Sequence, residues 1–121
     1  MNWFILLCML FAHVVDDYYL QGILAQMKQK IWWKDHARFY RYDYLAALAA
    51  HAFSWSFMIM LPIMWHYGWA LQPRFLGAYL VNMIIHAFID NLKANKYSIN
   101  LVQDQCIHVL QIILTWILLV G

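Results

Sequence analysis

The chain contains no glutamate, and only 12% of its 121 residues are charged. Soluble globular domains carry about 25% charged residues, so this shortage excludes a disordered chain, a nucleic-acid-binding module and an ordinary soluble domain. Apolar residues make up 65% of the sequence, which is more than one small core can enclose. The composition therefore predicts a membrane protein whose remaining apolar surface faces lipid.

Two further absences narrow the class of protein. The two cysteines, Cys8 and Cys106, are too few for a disulfide scaffold or a cysteine-based zinc site. The first apolar segment has no basic stretch ahead of it, and it contains one histidine and two aspartates. It does not have the features of a cleavable signal peptide, and we expect it to remain as a membrane span.

Four apolar segments divide the chain, covering roughly residues 3–24, 44–65, 75–92 and 101–120. Each is close to the about 20 residues with which a helix crosses the hydrocarbon core of a bilayer. The connections between them are short, and the sequence shows no internal repeat. This pattern predicts a single all-α domain over residues 1–121, folded as a four-helix transmembrane bundle.

The cations predict an orientation for this bundle. Five of them lie in the connection 26–43 and two at 93–100, whereas the middle connection has only Arg74. The first and third connections lie on the same side of a four-span protein, and the positive-inside rule places them in the cytoplasm. We therefore expect both termini to face outward.

The connection 26–43 also contains five aromatic residues: Trp32, Trp33, Phe39, Tyr40 and Tyr42. One interpretation is an interfacial anchor, with rings at headgroup depth and cations near anionic lipid. Another is a basic rim that attracts an anionic substrate toward a site. Nothing beyond charge suggests a nucleic acid, so the expected partners are the lipid bilayer and a small substrate.

Histidine and aspartate recur four residues apart in three of the four predicted helices, and the remaining helix supplies one more histidine. In chain order these residues are His13, Asp17, His51, His86, Asp90, Asp104 and His108. A spacing of four brings two side chains to one helical face, where they can share a metal ion. Counted from the helix ends, the four histidines and Asp17 fall in one layer, about 10 Å below the cytoplasmic surface. We expect the helices to converge on this polar centre.

The ligand types indicate the chemistry of the centre. Imidazole and carboxylate suit zinc first, with manganese or iron as alternatives. One zinc takes about four ligands, whereas seven candidates could hold two divalent ions about 3.5–4 Å apart. Such ions polarise an ester or phosphoryl oxygen and activate water near neutral pH. The alternative is a metal-free hydrogen-bond network or proton relay that holds the helices together.

Two further polar residues border the predicted ligands, and we assign them catalytic roles. Lys93 would stabilise negative charge on a substrate, pair with Asp90, or serve only as an anchor at the membrane surface. Asp16 would bind or bridge a metal, or support one of the histidines. The sequence leaves these alternatives open.

The polar motifs resemble those of a known family. They are HVVDDYYLQ at 13–21, His51, HAFIDNLK at 86–93 and DQCIH at 104–108. They are similar to the H-x-x-x-D-x-x-x-Q, H, H-x-x-x-D-x-x-K and D-Q-x-x-H pattern of domain-of-unknown-function family 3307, small bacterial and phage membrane proteins. The resemblance covers nearly the whole chain and implies a multi-span membrane protein, with no established activity. It also implies a bacterial inner membrane as the expected location, with the protein encoded by a cell or by a phage. Where the family pattern has one acid after the first histidine, this chain has Asp16 and Asp17.

The function that this sequence favours is a membrane-embedded metal-dependent hydrolase of a lipid or an anionic small molecule. Its site type is similar to the His/Asp centres of membrane hydrolases of the ceramidase-like superfamily. One alternative is a small transporter or ion-binding subunit, which would need a homo-oligomer because four short spans are few for alternating access. Another is a non-catalytic phage or bacterial membrane interaction protein with a structural polar core.

Overall fold

The computed structural model describes residues 2–20, 22, 24–32 and 43–121. This part of the chain is all-helical and contains no strand, as predicted. The first helix, α1 (Trp3–Val14), continues directly into a π-helical segment, Val15–Leu20. The helices that follow are α2 (Leu24–Met27), α3 (Asp43–His66), α4 (Pro73–Ala94) and α5 (Leu101–Leu119).

The helix ends follow from local capping chemistry. The side chain of Asn2 accepts the backbone N–H of Ile5 and begins α1. Pro73 stands at the start of α4, where its missing N–H costs nothing. Asn100 and Gln103 form a reciprocal capping box at the start of α5. Pro62 lies inside the last turns of α3, four residues before its end at His66.

Three helices, α3, α4 and α5, are long and apolar enough to cross a membrane. Their bounds lie within two residues of the predicted segments. The first predicted segment, 3–24, differs, because its α-helical part is 12 residues long and ends where the π-helical segment begins. The described structure therefore contains three candidate spans of regular α-helix, preceded by a helix of mixed geometry.

The helices divide the molecule into a dry half and a polar half. α1 packs on α3 and α5, and α4 packs on both α3 and α5. The dry half holds a cluster of buried apolar side chains that comprises Ile5, Met9, Trp55, Ile59, Met60, Ile63, Phe75, Ile112, Trp116 and Leu119. The buried charged residues lie toward the other ends of the same helices, near the connection between α4 and α5.

The outward-facing surface is apolar, which is the reverse of a soluble protein. Large side chains such as Phe11, Ile84 and Leu118 each expose more than 60% of their surface. Lysine, histidine, aspartate, asparagine and glutamine are found among the buried residues. This distribution fits a protein that is surrounded by lipid and encloses its polar groups.

The predicted interfacial anchor falls largely outside the described residues. This applies to Trp33, Lys34, Arg38, Phe39, Tyr40, Arg41 and Tyr42. Lys28, Lys30 and Trp32 are described, and the first of them has a role that the sequence did not suggest. The inward or outward orientation of the termini stays a prediction.

Candidate metal centre

Eight acidic and imidazole side chains meet inside the polar half. They are His13, Asp16, Asp17, His51, His86, Asp90, Asp104 and His108, and none exposes more than 7% of its surface. The helix formed by α1 and its π-helical extension, together with α3, α4 and α5, supplies them. The structure thus brings together the seven predicted metal ligands and Asp16.

The π-helical segment explains how two consecutive aspartates both point inward. Neighbouring residues of a regular α-helix differ by about 100° around the axis. A π-helical turn bonds i to i+5 and widens the helix locally, and such turns are frequent at functional sites. Asp16 and Asp17 approach opposite nitrogens of His51. Asp17 Oδ1 lies 2.9 Å from Nε2, and Asp16 Oδ2 lies 3.6 Å from Nδ1.

Asp16 lies behind His51 and not among the other candidate ligands. Its Oδ1 accepts a 2.6 Å hydrogen bond from the hydroxyl of Ser54, one turn along α3 from His51. No group of close ligand atoms among the described residues includes Asp16. A carboxylate in this position holds the ring and directs the opposite nitrogen toward a metal, which is how ligating histidines are commonly oriented.

Asp90 lies close to four side chains of the centre. Its Oδ2 accepts a 2.6 Å hydrogen bond from Lys28 Nζ and lies 3.4 Å from His86 Nε2 and 3.6 Å from His51 Nε2. Its Oδ1 lies 3.3 Å from His108 Nε2. Three histidines from three helices therefore surround one aspartate.

The partners of His108 indicate which ring nitrogen carries its proton. Gln111 Nε2 donates to the backbone and side-chain oxygens of Asn82, so Gln111 Oε1 accepts from His108 Nδ1 at 3.0 Å. His108 Nε2 then faces Asp104 Oδ1 at 3.2 Å and Asp90 Oδ1 at 3.3 Å. An imidazole nitrogen between carboxylate oxygens needs a proton or a metal cation to hold them together.

His13 differs from the other histidines because hydrogen bonds occupy both of its ring nitrogens. The indole N–H of Trp55 donates to Nδ1 at 2.8 Å, so Nε2 carries the proton and donates to Gln105 Oε1 at 2.8 Å. His13 belongs to none of the groups of close ligand atoms among the described residues. The structure places it at the edge of the centre, linked to it through Gln105.

Several buried polar atoms of the centre make no hydrogen bond, although nearly all such atoms in proteins do. They are Asp16 Oδ2, His51 Nδ1, both ring nitrogens of His86, and Asp104 Oδ1. Asp16 Oδ2 and His51 Nδ1 face each other behind the centre, whereas the His86 and Asp104 atoms belong to candidate ligands, and ligand atoms without a bound cation are commonly left without partners in this way. The donor set fits a metal on this observation.

Three groups of residues offer ligand atoms that all lie within 4.8 Å of one another. The groups are Asp17 with His51 and His86, His86 with Asp90 and His108, and Asp17 with Asp104 and His108. Each group shares at least one member with another. Buried His/Asp groups in this arrangement could hold one ion, or two neighbouring ions with shared ligands.

The described residues of the centre carry a net negative charge that a divalent cation could balance. Four aspartates of the centre carry four negative charges, and the lysines that touch them, Lys28 and Lys93, supply two positive charges. With neutral imidazoles, the charges of the described residues alone sum to 4 − 2, or two net negative charges. A divalent ion carries the charge that would balance this sum, and uncompensated buried charge is costly.

The two lysines correct the sequence-based pairing. Pairing with Asp90 was one of the roles that the sequence left open for Lys93, but its Nζ lies 3.2 Å from Asp104 Oδ2. Lys28 takes the place beside Asp90, and it is only 4% exposed. Lys93 bridges from Asp104 to the surface, since 31% of its side chain is exposed. Its charge is therefore partly accessible to a substrate.

A stack of three rings lies between the centre and the dry half. The ring of Trp55 stacks on His86 at 4.2 Å between centroids, and His86 stacks on His108 at 4.0 Å. Asn82, Gln111 and Thr115 form a small hydrogen-bonded layer beside them. Beyond this layer lie the apolar side chains of the dry half.

Sequence reasoning missed Lys28, Ser54 and Trp55 as members of the centre, and it gave Gln105 only a supporting or interfacial place. Gln105 donates to Asp17 Oδ2 and to Asp104 Oδ2, at 3.0 Å each. Its position next to Asp104 was a usable signal. Lys28 had only its place as the first cation after the first apolar segment, because its partner Asp90 is 62 residues away.

Comparisons of this chain with models of known protein families, with curated proteins and with solved structures find no match.

Proposed function

We propose that this protein is a membrane-embedded, metal-dependent hydrolase whose substrate is a lipid or an anionic small molecule. The observation that supports the proposal is the set of three overlapping groups of buried ligand atoms within 4.8 Å of one another, with lone pairs that lack hydrogen bonds. A structural polar core would instead satisfy its members, because a half-satisfied network is less stable than an apolar one.

Six residues would hold the metal: Asp17, His51, His86, Asp90, Asp104 and His108. When bound, zinc, or manganese or iron in its place, would polarise an ester or phosphoryl oxygen and activate a water. The protein side chains orient this donor set. Gln111 holds His108 and Lys28 holds Asp90 by hydrogen bonds, and the carboxylate of Asp16 faces the far ring nitrogen of His51 at 3.6 Å.

Lys93 would act on the substrate. It is the one cation of the centre with a partly exposed side chain among the described residues, and it already contacts the candidate ligand Asp104. An ammonium at this place would stabilise the negative charge that develops on an oxygen during hydrolysis. Trp55 and the dry half behind it would keep the reacting groups away from bulk water.

The membrane arrangement belongs to the same proposal. We place α1 with its π-helical extension, α3, α4 and α5 across a bacterial inner membrane as a four-helix bundle, with both termini outside. The cation-rich connections support the orientation. The resemblance to domain-of-unknown-function family 3307 agrees with a small multi-span protein of a cell or a phage.

An ion-binding or transporting subunit is the second candidate. The layer of Asn82, Gln111 and Thr115 supports it, because this layer extends the polar network beyond the histidines. Ile59, Met60 and Ile112, by contrast, are fully buried in the apolar cluster of the dry half. A transport pathway would have to open this part of the core.

Hydrolysis by the wild-type protein and by Lys93→Met tests the proposal. Metal-loaded wild-type protein should hydrolyse at least one substrate in a broad screen of lipid esters and phosphoesters. Lys93→Met should keep the metal and lose about tenfold or more of kcat/KM, since one charged group at the reacting centre commonly contributes that much. Lys96→Met is the control, because Lys96 is exposed and lies three residues farther along the chain.

One other outcome is that metal-loaded wild-type protein hydrolyses nothing in the screen and yet carries cations into liposomes. That result would contradict the hydrolase and support the ion-transporting subunit. Full activity of Lys93→Met would remove Lys93 from the reaction while leaving the metal centre in place.

A further inference from the structure

An apolar cleft opens on the side of the protein beside the metal centre. It has a volume of about 450 Å³, and its walls are Tyr18, Leu101, Val102, Gln105, Cys106 and Val109. Small-molecule sites commonly enclose about 300–1,000 Å³. Apart from Gln105 and the hydroxyl of Tyr18, these side chains are apolar or weakly polar.

The cleft exists because the first helix leaves α5 at its π-helical segment. α1 packs on α5, but no Cα atom of Val15–Leu20 lies within 8 Å of a Cα atom of α5. The π-helical segment packs on α3 instead. The widened turn that brings Asp16 and Asp17 to His51 therefore also opens the space between the first and the last helix.

Gln105 crosses this space and separates the cleft from the metal centre. Its amide nitrogen donates to Asp17 Oδ2 and Asp104 Oδ2, and its oxygen accepts from His13 Nε2 at 2.8 Å. One face of this side chain lines the cleft, and its polar end touches two candidate metal ligands. A molecule in the cleft would need only a rotation of Gln105 to reach the centre.

We propose that the cleft holds one acyl chain of a membrane lipid and presents that lipid's ester or phosphoester group to the metal centre past Gln105. This inference rests on the proposed hydrolase function and names its substrate class. Tyr18, Leu101 and Val102 expose more than half of their surfaces, and they join the cleft to the apolar surface that faces lipid. A lipid would therefore enter the cleft sideways, from the surrounding bilayer.

The occupant follows from the surroundings of the cleft. An empty apolar space beside lipid loses dispersion contacts on one side, and a flexible acyl chain can restore them. The hydrophobic effect gives an acyl chain no preference for the cleft over the bilayer, because the surrounding lipid is itself apolar. The preference would come from the shape of the cleft and from the polar group of Gln105 at its inner end.

The depth of the cleft fits a glycerolipid. Leu101 is the first residue of α5, and Lys93 and Lys96 lie just before that helix. From Leu101 to Val109 the helix rises about 12 Å, and Gln105 lies about 6 Å from its start. An acyl chain along Val109 would place its ester near Gln105 and an anionic headgroup near the lysines.

Photocrosslinking tests the inference on the full chain. The protein would be reconstituted in phosphatidylglycerol vesicles that contain a small fraction of the same lipid with a diazirine on one acyl chain. We expect mass spectrometry to find the crosslinks concentrated in residues 101–109 and at Tyr18. Cys106→Trp should fill the cleft and lower this labelling about tenfold, equivalent to ~1.4 kcal/mol of occupancy.

The matched control is Leu114→Trp, which places the same ring on an exposed face of α5 away from the cleft. It should leave the labelling of 101–109 unchanged. Val102→Trp is a second occluding variant, and circular dichroism with size-exclusion chromatography would check the fold of each. If neither occluding variant folds, the wild-type crosslink map decides alone.

Crosslinks spread evenly over the lipid-facing surface, or labelling of 101–109 that Cys106→Trp does not reduce, would overturn the inference. Metal content, measured on the same samples, separates this failure from failure of the proposed function. Metal-loaded protein with even labelling would contradict the cleft alone. Metal-free protein with a specific crosslink pattern would contradict the hydrolase and keep a lipid-binding cleft.

Discussion

The dry half and the polar half are built from the same helices, yet their buried side chains differ in whether they find suitable partners. In the dry half, side chains such as Ile59, Met60 and Ile112 are fully buried and packed against other apolar groups. In the polar half, His51, His86 and Asp104 are equally buried, but some of their polar atoms have no hydrogen bond. The contrast indicates that the dry half supports the fold and the polar half is arranged for a ligand.

Trp55 joins the two halves. It belongs to the apolar cluster, stacks on His86, and donates its indole N–H to His13. A tryptophan suits this position, since one face of its ring is apolar and its N–H can satisfy a polar neighbour. The candidate metal centre therefore packs on apolar side chains. We expect substitutions in the dry half to lower stability without loss of metal, and substitutions in the polar half to change metal binding.

The largest expected effect on stability is that of Lys28→Met, and it should depend on metal. Removing one partner of a buried ion pair leaves the other charge uncompensated and costs about 3–5 kcal/mol. In chelator, Asp90 would lose its cation, and the free energy of unfolding should fall by about this amount. With metal present the loss should be clearly smaller, because the ion supplies positive charge to the same carboxylate.

Denaturant unfolding in detergent, with and without chelator, would measure both values for Lys28→Met. Lys30→Met is the control, since Lys30 is exposed and two residues away. An equal loss under both conditions would mean that no metal shares Asp90 with Lys28.

Ile59→Ala should reduce stability without affecting the metal. Ile59 is fully buried in the dry half, and such truncations cost about 2–5 kcal/mol through lost contacts and a cavity. We expect the metal content per folded molecule to equal that of the wild type, as measured by elemental analysis. Loss of metal from a stable, folded Ile59→Ala protein would show that the two halves are not separate.

Asp16→Asn should weaken metal binding moderately and leave the fold intact. An asparagine keeps the size of the side chain and the contact with Ser54, but it removes the charge behind His51. Substitutions of such outer partners lower metal affinity about 10–100-fold. Competition with a chelator of known affinity would measure the change. If Asp16 is itself a ligand, the loss should be as complete as for a histidine of the centre.

The orientation of the helices can be tested by labelling in intact cells. Each labelled position should be either fully accessible or fully protected. On a background of Cys8→Ser and Cys106→Ser, Lys34→Cys should be protected from an impermeant reagent, and a tag after Gly121 should be accessible. The reverse pattern would move the metal centre to the outer half of the membrane. The convergence of its residues would remain, because it depends only on the antiparallel order of the helices.

Part of this structure could be read from the sequence because it depends on local periodicity. The i, i+4 pairs such as His86 with Asp90 fix a common helical face, and the antiparallel order brings these faces to one level. The bounds of α3, α4 and α5 follow from apolar runs and from caps such as Asn100. These features need no knowledge of long-range contacts.

The rest depends on tertiary packing. Counting at 3.6 residues per turn cannot place both Asp16 and Asp17 inside, and the π-helical segment that does so is held against α3 by contacts far apart in sequence. Lys28 lies outside every apolar segment, so only the fold reveals that it reaches Asp90. The same holds for Gln105, whose bonds to His13 and Asp17 span 92 and 88 residues.

The metal content of the purified protein tests the proposed function most directly. Elemental analysis of wild-type protein should find about one to two equivalents of a divalent metal, and chelator should lower its thermal stability because the ion binds only the folded state. His86→Ala and His108→Ala should each retain about a tenth of the metal or less, while Ile59→Ala retains it. A wild-type protein that contains no metal, and whose unfolding temperature is the same with and without chelator, would contradict the metal centre.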